Sequence, residues 1–234
     1  MNTYYEEAAG TTSILIAGLG GQGILHLSKV LTYAGQRRFR YACRSEFRGL
    51  SQRGGSVHSI VRFSPAPLAP VLAAHGANLV LSMDALEAVR AEEFLADDGH
   101  LFTDSETVPP LHVARAWEAQ GKAIRLGQAF REGLQGHLDA LPQCLRLDLA
   151  EFASQAGDAR AANVVLLGAA SWLLPIPAEE LREAVRACVK PTLQAVNLVA
   201  FQLGRDAARH QVASFTLEEA GNSVTATQFA ARAE

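Results

Sequence analysis

Apolar and polar positions are laid out in blocks whose period changes along the chain. Ser13-Ile14-Leu15-Ile16-Ala17 is a short apolar run that ends at glycines and reads as a strand. Ile24 to Arg38 switches to helical spacing, with Ile24, Leu27, Leu31 and Ala34 on one stripe. Phe39 to Arg44 reads as a second strand, followed by a polar loop from Ser45 to Gly55. Val57 to Phe63 alternates as a third strand, ended by Pro65, Pro67 and Pro70. Asn78 to Ser82 is another buried strand, and Asp84-x-x-Glu87 behind it has the spacing of a capping box. His100 to Thr103, Ala123 to Leu126 and Leu145 to Asp148 are further short strands. Strand-like and helix-like blocks alternate, which predicts an α/β, Rossmann-like domain with a largely parallel sheet flanked by helices.

From Arg160 the texture becomes helical. Ala161 to Leu174 forms one helix, Ala178 to Val189 a second behind Pro177, and Thr192 to His210 a third behind Pro191. Residues 1–12 are expected to be a flexible leader, 13–211 a single domain with a helical C-terminal part, and 212–234 a tail of little periodicity.

Composition narrows the classes. A chain of 234 residues that is 49 % hydrophobic can bury a full core, and its net charge of −3 speaks against a whole-domain nucleic-acid binder. The most apolar run, Val164 to Leu174, is shorter than the ~20 residues of a membrane span and is closed by Pro175 and Pro177. Met1 to Glu7 has no basic start and leads into no apolar signal core, so a cytoplasmic location is expected. Cys43, Cys144 and Cys188 lie far apart with no Cys-x-x-Cys, and no disulfide framework, metal site or iron–sulfur cradle is readable.

Candidate chemistry concentrates in two loops. Gly18-Leu19-Gly20-Gly21-Gln22-Gly23 fits G-x-G-x-x-G directly after a strand and before a helix, where glycines allow a tight turn and helix N–H groups can face a phosphate. The dinucleotide version also needs an acid ending the second strand. Glu46 is placed in a loop beyond that strand, and Arg44 could suit a 2′-phosphate. A tight packing turn remains the alternative. The second loop is arginine-rich: Arg37, Arg38, Arg40, Arg44, Arg48 and Arg53 stand against one acid, Glu46. Arg37, Arg38 and Arg40 are read as solvated or as pairing with a helix end. Ser51-Gln52-Arg53-Gly54-Gly55-Ser56 combines hydroxyl, amide and guanidinium donors with flexible glycines, next to the first loop on the edge where ligands collect.

Other polar residues carry less. His26 is read as helix surface or as a supporting neighbour of the site. His58 and His75 have no evident carboxylate partner or metal spacing. Asp84 and Glu87 are assigned to capping, and Asn163 and Asn197 to helix-packing hydrogen bonds, with Asn163 and Arg48 also possible supports of the site.

Three ordered blocks give a family resemblance: Ile16-Ala17-Gly18-Leu19-Gly20-Gly21-Gln22-Gly23-Ile24-Leu25, Glu46 to Val57, and Ala162-Asn163-Val164-Val165-Leu166-Leu167-Gly168-Ala169. Together with Lys190-Pro191 and Asn197-x-x-Ala200-Phe201-x-x-Gly204 they resemble the gamma-type domain of 2-oxoacid:ferredoxin oxidoreductases, with the strongest likeness to small subunits of the indolepyruvate type. The likeness covers residues 13–210. The family's His-Gly-Met-Ser-Gln-Arg is replaced here by Arg48-Gly49-Leu50-Ser51-Gln52-Arg53, so no role of that histidine carries over.

The resemblance implies an oxidative decarboxylation in which thiamine diphosphate, magnesium and [4Fe-4S] clusters sit on a larger partner subunit. Coenzyme A would take the acyl group and ferredoxin the electrons. Ser51, Gln52, Arg53 and Gly54 would lie near substrate or cofactor, beside the glycine loop, and no catalytic or metal-binding residue is expected in this chain alone. No nucleic acid or membrane partner is expected. The competing readings are a free-standing NAD(P)- or flavin-binding oxidoreductase and a non-enzymatic nucleotide-binding module.

Overall fold

The computed structural model describes residues 10–48, 55–108 and 127–220. The chain runs β1 (Thr12–Leu19), α1 (Ile24–Arg38), β2 (Tyr41–Arg48), β3 (Ser56–Ser64), β4 (Ala77–Ser82), α2 (Ala85–Ala91) and β5 (Leu95–Asp104). It continues through α3 (Gln128–Asp139), β6 (Cys144–Leu147), α4 (Leu149–Ala156), α5 (Ala162–Ala170), α6 (Ala178–Cys188) and α7 (Gln194–Ala220).

The six strands form one sheet in the order β2-β3-β1-β4-β5-β6. β4 pairs parallel to β1, β5 to β4 and β6 to β5, whereas β3 is antiparallel to both β1 and β2. Five strands therefore share one direction, and their C-terminal ends share one edge. The α/β, mostly parallel architecture expected from the strand–helix alternation is what forms.

Each face of the sheet has its own apolar layer. Ile14 and Ile16 of β1 point into the larger core with α1, α5, α6 and α7, and Leu15 and Ala17 into a smaller one with α2 and α3. A strand buried on both faces has no reason to alternate, which is why its sequence is a continuous apolar run. All four stripe residues of α1 are buried, as is every residue from Asn163 to Ala170 in α5.

Several boundaries move. The second strand is Tyr41–Arg48, so the first four residues of the expected loop from Ser45 are strand, because β3 supplies an antiparallel partner as far as Val57 opposite Arg48. The expected helix over 161–174 is a one-turn 3-10 segment (Ala159–Ala161) followed by α5. The last helix continues beyond His210 to Ala220, with Val212 fully buried in the larger core, so 212 is not the start of a tail. The residue pattern predicts neither α3 nor α4. The expected strand over 123–126, the leader's residues 1–9 and residues 221–234 lie outside the described residues.

Candidate functional site

The chain leaves β1 at Leu19 and enters α1 at Ile24 through a turn closed by its own side chains. Gly21 (φ +105°) and Gly23 (φ +85°) are left-handed, a region L side chains avoid. A Cβ on Gly23 would stand 2.5 Å from Asn163 Nδ2, and one on Gly18 2.6 Å from Ile24 Cδ1. Gln22 folds back over the turn, where its Oε1 accepts from the Leu19 N–H (2.6 Å) and its Nε2 donates to the Met83 carbonyl (3.0 Å). The Gly20 N–H donates to the Gly55 carbonyl (2.9 Å), and Asn163 Nδ2 to the Gly23 carbonyl (3.2 Å). The turn is thus tied to the entrance of α2, to the entrance of β3 and to α5. Helix α1 begins with no side-chain cap and no acid in its first turn, so its positive end is not neutralised by an acid of that turn.

This geometry separates the glycine turn from the acid a dinucleotide site requires. Glu46 lies in strand β2, not in a loop, and β3 stands between β2 and β1. Two strand spacings, roughly 10 Å, divide the acid from the strand that leads into the turn. Glu46 is instead paired with Arg44 at 3.7 Å, which takes Arg44 away from any 2′-phosphate role.

Arg48 closes β2, and Gly55 leads into β3, whose first residue Ser56 stands opposite Leu19, so both ends of the 49–54 segment emerge on the edge that carries the glycine turn. Ser51, Gln52, Arg53 and Gly54 lie outside the described residues. Arg38 is not solvated: its Nη1 donates to Glu180 Oε1 at 3.0 Å, its side chain is only 24 % exposed, and it fastens α1 to α6. Arg37 is exposed and pairs with an exposed partner, Glu183, at 3.9 Å, while standing over the Tyr33 ring.

A polar cluster that the spacing did not foretell lies against the turn. Asp84 caps α2 as expected, accepting from the N–H groups of Leu86 (2.9 Å) and Glu87 (3.2 Å). The Glu87 side chain does not return to the cap. It is 1 % exposed and accepts from Ser56 Oγ (2.6 Å) and Arg90 Nη1 (2.6 Å), with His58 Nε2 3.8 Å away. His58 thus has the carboxylate neighbour that the sequence did not indicate. Burial pushes the Glu87 carboxyl up, but the contacts from His58, Ser56 and Arg90 outweigh it and hold the group below its ordinary range. Only Arg90, three residues along the same helix, was a local signal. Ser56 and His58 arrive through strand pairing.

Farther along the edge the opposite happens to Asp104. Burial, with Asp148 and Asp84 nearby, pushes its carboxyl up to about 6 against the hydrogen bonds it accepts from the Glu106 and Leu149 N–H groups. On the helical side of the glycine turn a cleft of about 350 Å³ is lined by Gly23, His26, Arg160, Asn163, Lys190 and Asn197, among others. Burial, with Lys29 nearby, lowers the His26 pKa and favours its neutral ring. Asn163 supports the turn as well as packing, whereas Asn197 donates to the Leu193 carbonyl of its own helix entry (2.8 Å). Burial raises the thiols of Cys43, Cys144 and Cys188, so none is poised as a thiolate. Among the described residues no group of three or more His, Cys, Asp or Glu could hold a metal ion, and no helix is long and apolar enough to cross a membrane.

Comparison with known proteins gives a consistent picture. Residues 13–207 match the family model described as pyruvate ferredoxin/flavodoxin oxidoreductase. The chain is 32 % identical over 202 residues to the indolepyruvate oxidoreductase subunit IorB of Thermococcus kodakarensis, covering 86 % of this chain and 97 % of that protein. It is 31 % identical, with the same coverage, to the IorB subunit of Pyrococcus horikoshii. Among solved structures, the gamma subunit of a keto/oxoacid ferredoxin oxidoreductase from Geobacter sulfurreducens shares the fold, with a TM-score of 0.61 at 21 % identity over 86 % of this chain and 97 % of that one. So does 2-oxoglutarate:ferredoxin oxidoreductase from Magnetococcus marinus, with a TM-score of 0.62 at 18 % identity over 86 % of this chain and 31 % of that longer one. The match over residues 13–207, which spans both the sheet and the helical layer, and the 32 % identity to a subunit covered over 97 % of its length show that the chain belongs to the pyruvate ferredoxin/flavodoxin oxidoreductase family.

Proposed function

We propose that the chain is the small subunit of a thiamine-diphosphate- and iron–sulfur-dependent 2-oxoacid:ferredoxin oxidoreductase acting on indolepyruvate or a related aryl 2-oxoacid. The reaction is oxidative decarboxylation to the acyl-coenzyme A, with electrons passing to ferredoxin. The observation that carries this reading is the 32 % identity, over nearly the full length of a small subunit named for indolepyruvate. The residues agree with a supporting part. Iron–sulfur clusters need several clustered thiolates, and the three cysteines here stand on three separate elements. The sequence also has no Gly-Asp-Gly of the kind that leads a magnesium–diphosphate site. These residues do not fit either cofactor, and both belong to a larger partner subunit.

What this chain supplies is the edge bearing its glycine turn and the segment that joins β2 to β3. Arg53, with Ser51 and Gln52, holds an anionic group of the shared site, either the substrate carboxylate or a phosphate of coenzyme A, because a guanidinium fork can bind two anion oxygens at once. Asn163, through its hydrogen bond to the Gly23 carbonyl, supports that edge, and Arg48 at the end of β2 is assigned the same supporting role.

Co-expression with the large subunit tests this. The complex is expected to reduce a viologen dye with indolepyruvate and coenzyme A, while this chain alone is inactive and binds no NAD(P) or flavin. In the complex, Arg53→Ala lowers kcat/KM about 10- to 150-fold and Arg53→Lys recovers little. Full activity of the large subunit by itself, or tight dinucleotide binding by this chain, overturns the reading.

A further inference from the structure

The glycine turn owes its shape to contacts outside itself, and these converge on one short stretch of chain, Met83 to Arg90. One arm is Gln22, whose amide spans the turn from the Leu19 N–H to the Met83 carbonyl. The other is the first two residues of the β3 arm. Gly55 accepts the Gly20 N–H at 2.9 Å, and Ser56, the next residue, donates its hydroxyl to Glu87 Oε2 at 2.6 Å. The Glu87 side chain is 1 % exposed, so its charge is held by the donors around it rather than by water. Arg90 supplies a second hydrogen bond to the other carboxylate oxygen, Oε1, at 2.6 Å, and the His58 ring stands on the Ser56 side. A buried carboxylate with one oxygen on its own helix and the other on a neighbouring strand works as a staple between the two. Asp84 already supplies the cap of α2, so helix formation does not explain Glu87.

We propose that Glu87 is a positioning residue that, through Ser56 and Gly55, sets where the Gly20 amide of the glycine turn stands. The inference rests on the reading that this turn faces the shared active site. It assigns Glu87 no contact with substrate.

Ser56→Ala removes the strand side of the staple while leaving Glu87 its Arg90 partner. It keeps the proposal testable if the more disruptive Glu87→Ala fails to fold. In the isolated chain, amide hydrogen exchange at Gly20 is expected to quicken about tenfold in Ser56→Ala, the worth of one lost hydrogen bond. Exchange in β4, at Leu79 to Leu81, stays as in the wild type, and Ser56→Thr, which keeps the hydroxyl, restores protection at Gly20. In the complex with the large subunit, the KM for coenzyme A or for indolepyruvate rises about fivefold in Ser56→Ala with kcat unchanged. Unchanged Gly20 exchange, or faster exchange spread evenly over all strands, overturns the positioning role alone. Faster exchange at Gly20 with both KM values unmoved supports the hold of Glu87 on the Gly20 amide and overturns the separate reading that the turn serves the site.

Discussion

Glycines do opposite work in two regions of this molecule. In the turn between β1 and α1 they permit backbone shapes and leave room for side chains, with Gly23 left-handed and pressed against Asn163 while a Cβ on Gly21 would meet nothing within 4 Å. Between α5 and α7, Gly168 and Gly204 are ordinary helical residues whose missing side chains let two backbones touch. A Cβ on Gly168 would collide with the Phe201 carbonyl, and one on Gly204 with the Val165 carbonyl. The turn matches a ligand-binding pattern and the helix pair matches none, yet the helix pair is the more tightly constrained. A glycine motif therefore reports backbone need first, and ligand approach only if its glycines are open toward solvent.

That contrast can be broken by experiment. Gly204→Ala is expected to have the largest effect, a loss of about 3 kcal/mol in guanidinium unfolding or failure to accumulate folded protein, because the obstructing atoms are backbone and cannot rotate away. Gly23→Ala follows, with about 2 kcal/mol from the left-handed backbone and the displaced Asn163. The double variant Gly23→Ala/Asn163→Ala is expected to recover part of that loss, since the neighbour is a side chain. If Gly204→Ala proves milder than Gly23→Ala, the ranking of the two regions is reversed.

Two carboxylates sharpen the picture of the edge itself. Asp104 has a folded-state pKa raised to about 6, so the folded protein binds this proton more tightly than the unfolded chain does. Its ionisation weakens the fold as pH rises from about 4 to about 6, and Asp104→Asn should gain roughly 1–2 kcal/mol at pH 7 and nothing near pH 4, read from denaturant curves at both values. Glu87 runs the other way. Its depressed pKa gives stability that is present above the ordinary glutamate range and is lost as pH falls below it.

The smallest effect is expected at Arg38. Arg38→Ala should cost about 0.5–1 kcal/mol through its partly buried pair with Glu180, whereas Arg37→Ala, on an exposed partner, should be neutral within error in the same melts.

Local signals determined most of the elements. The apolar run of β1, the helical stripe of α1, the prolines ahead of α6 and α7 and the Asp84 cap depend on neighbours within about a turn or a strand, and all are found where the pattern put them. The family was equally legible, because its motif blocks are contiguous. Tertiary structure alone decided the rest. Glu46 became a strand residue because β3, arriving from later in the chain, gave β2 a partner. Arg38 became a partly buried tie because α6, some 140 residues away, brings Glu180 against it. Glu87 and Ser56 are 31 residues apart, and no period or spacing encodes a hydrogen bond between a helix and a strand. Short-range patterns fix secondary structure because they act through the backbone's own geometry. Which polar group a buried carboxylate meets depends on how those elements stack, and that depends on the whole core at once.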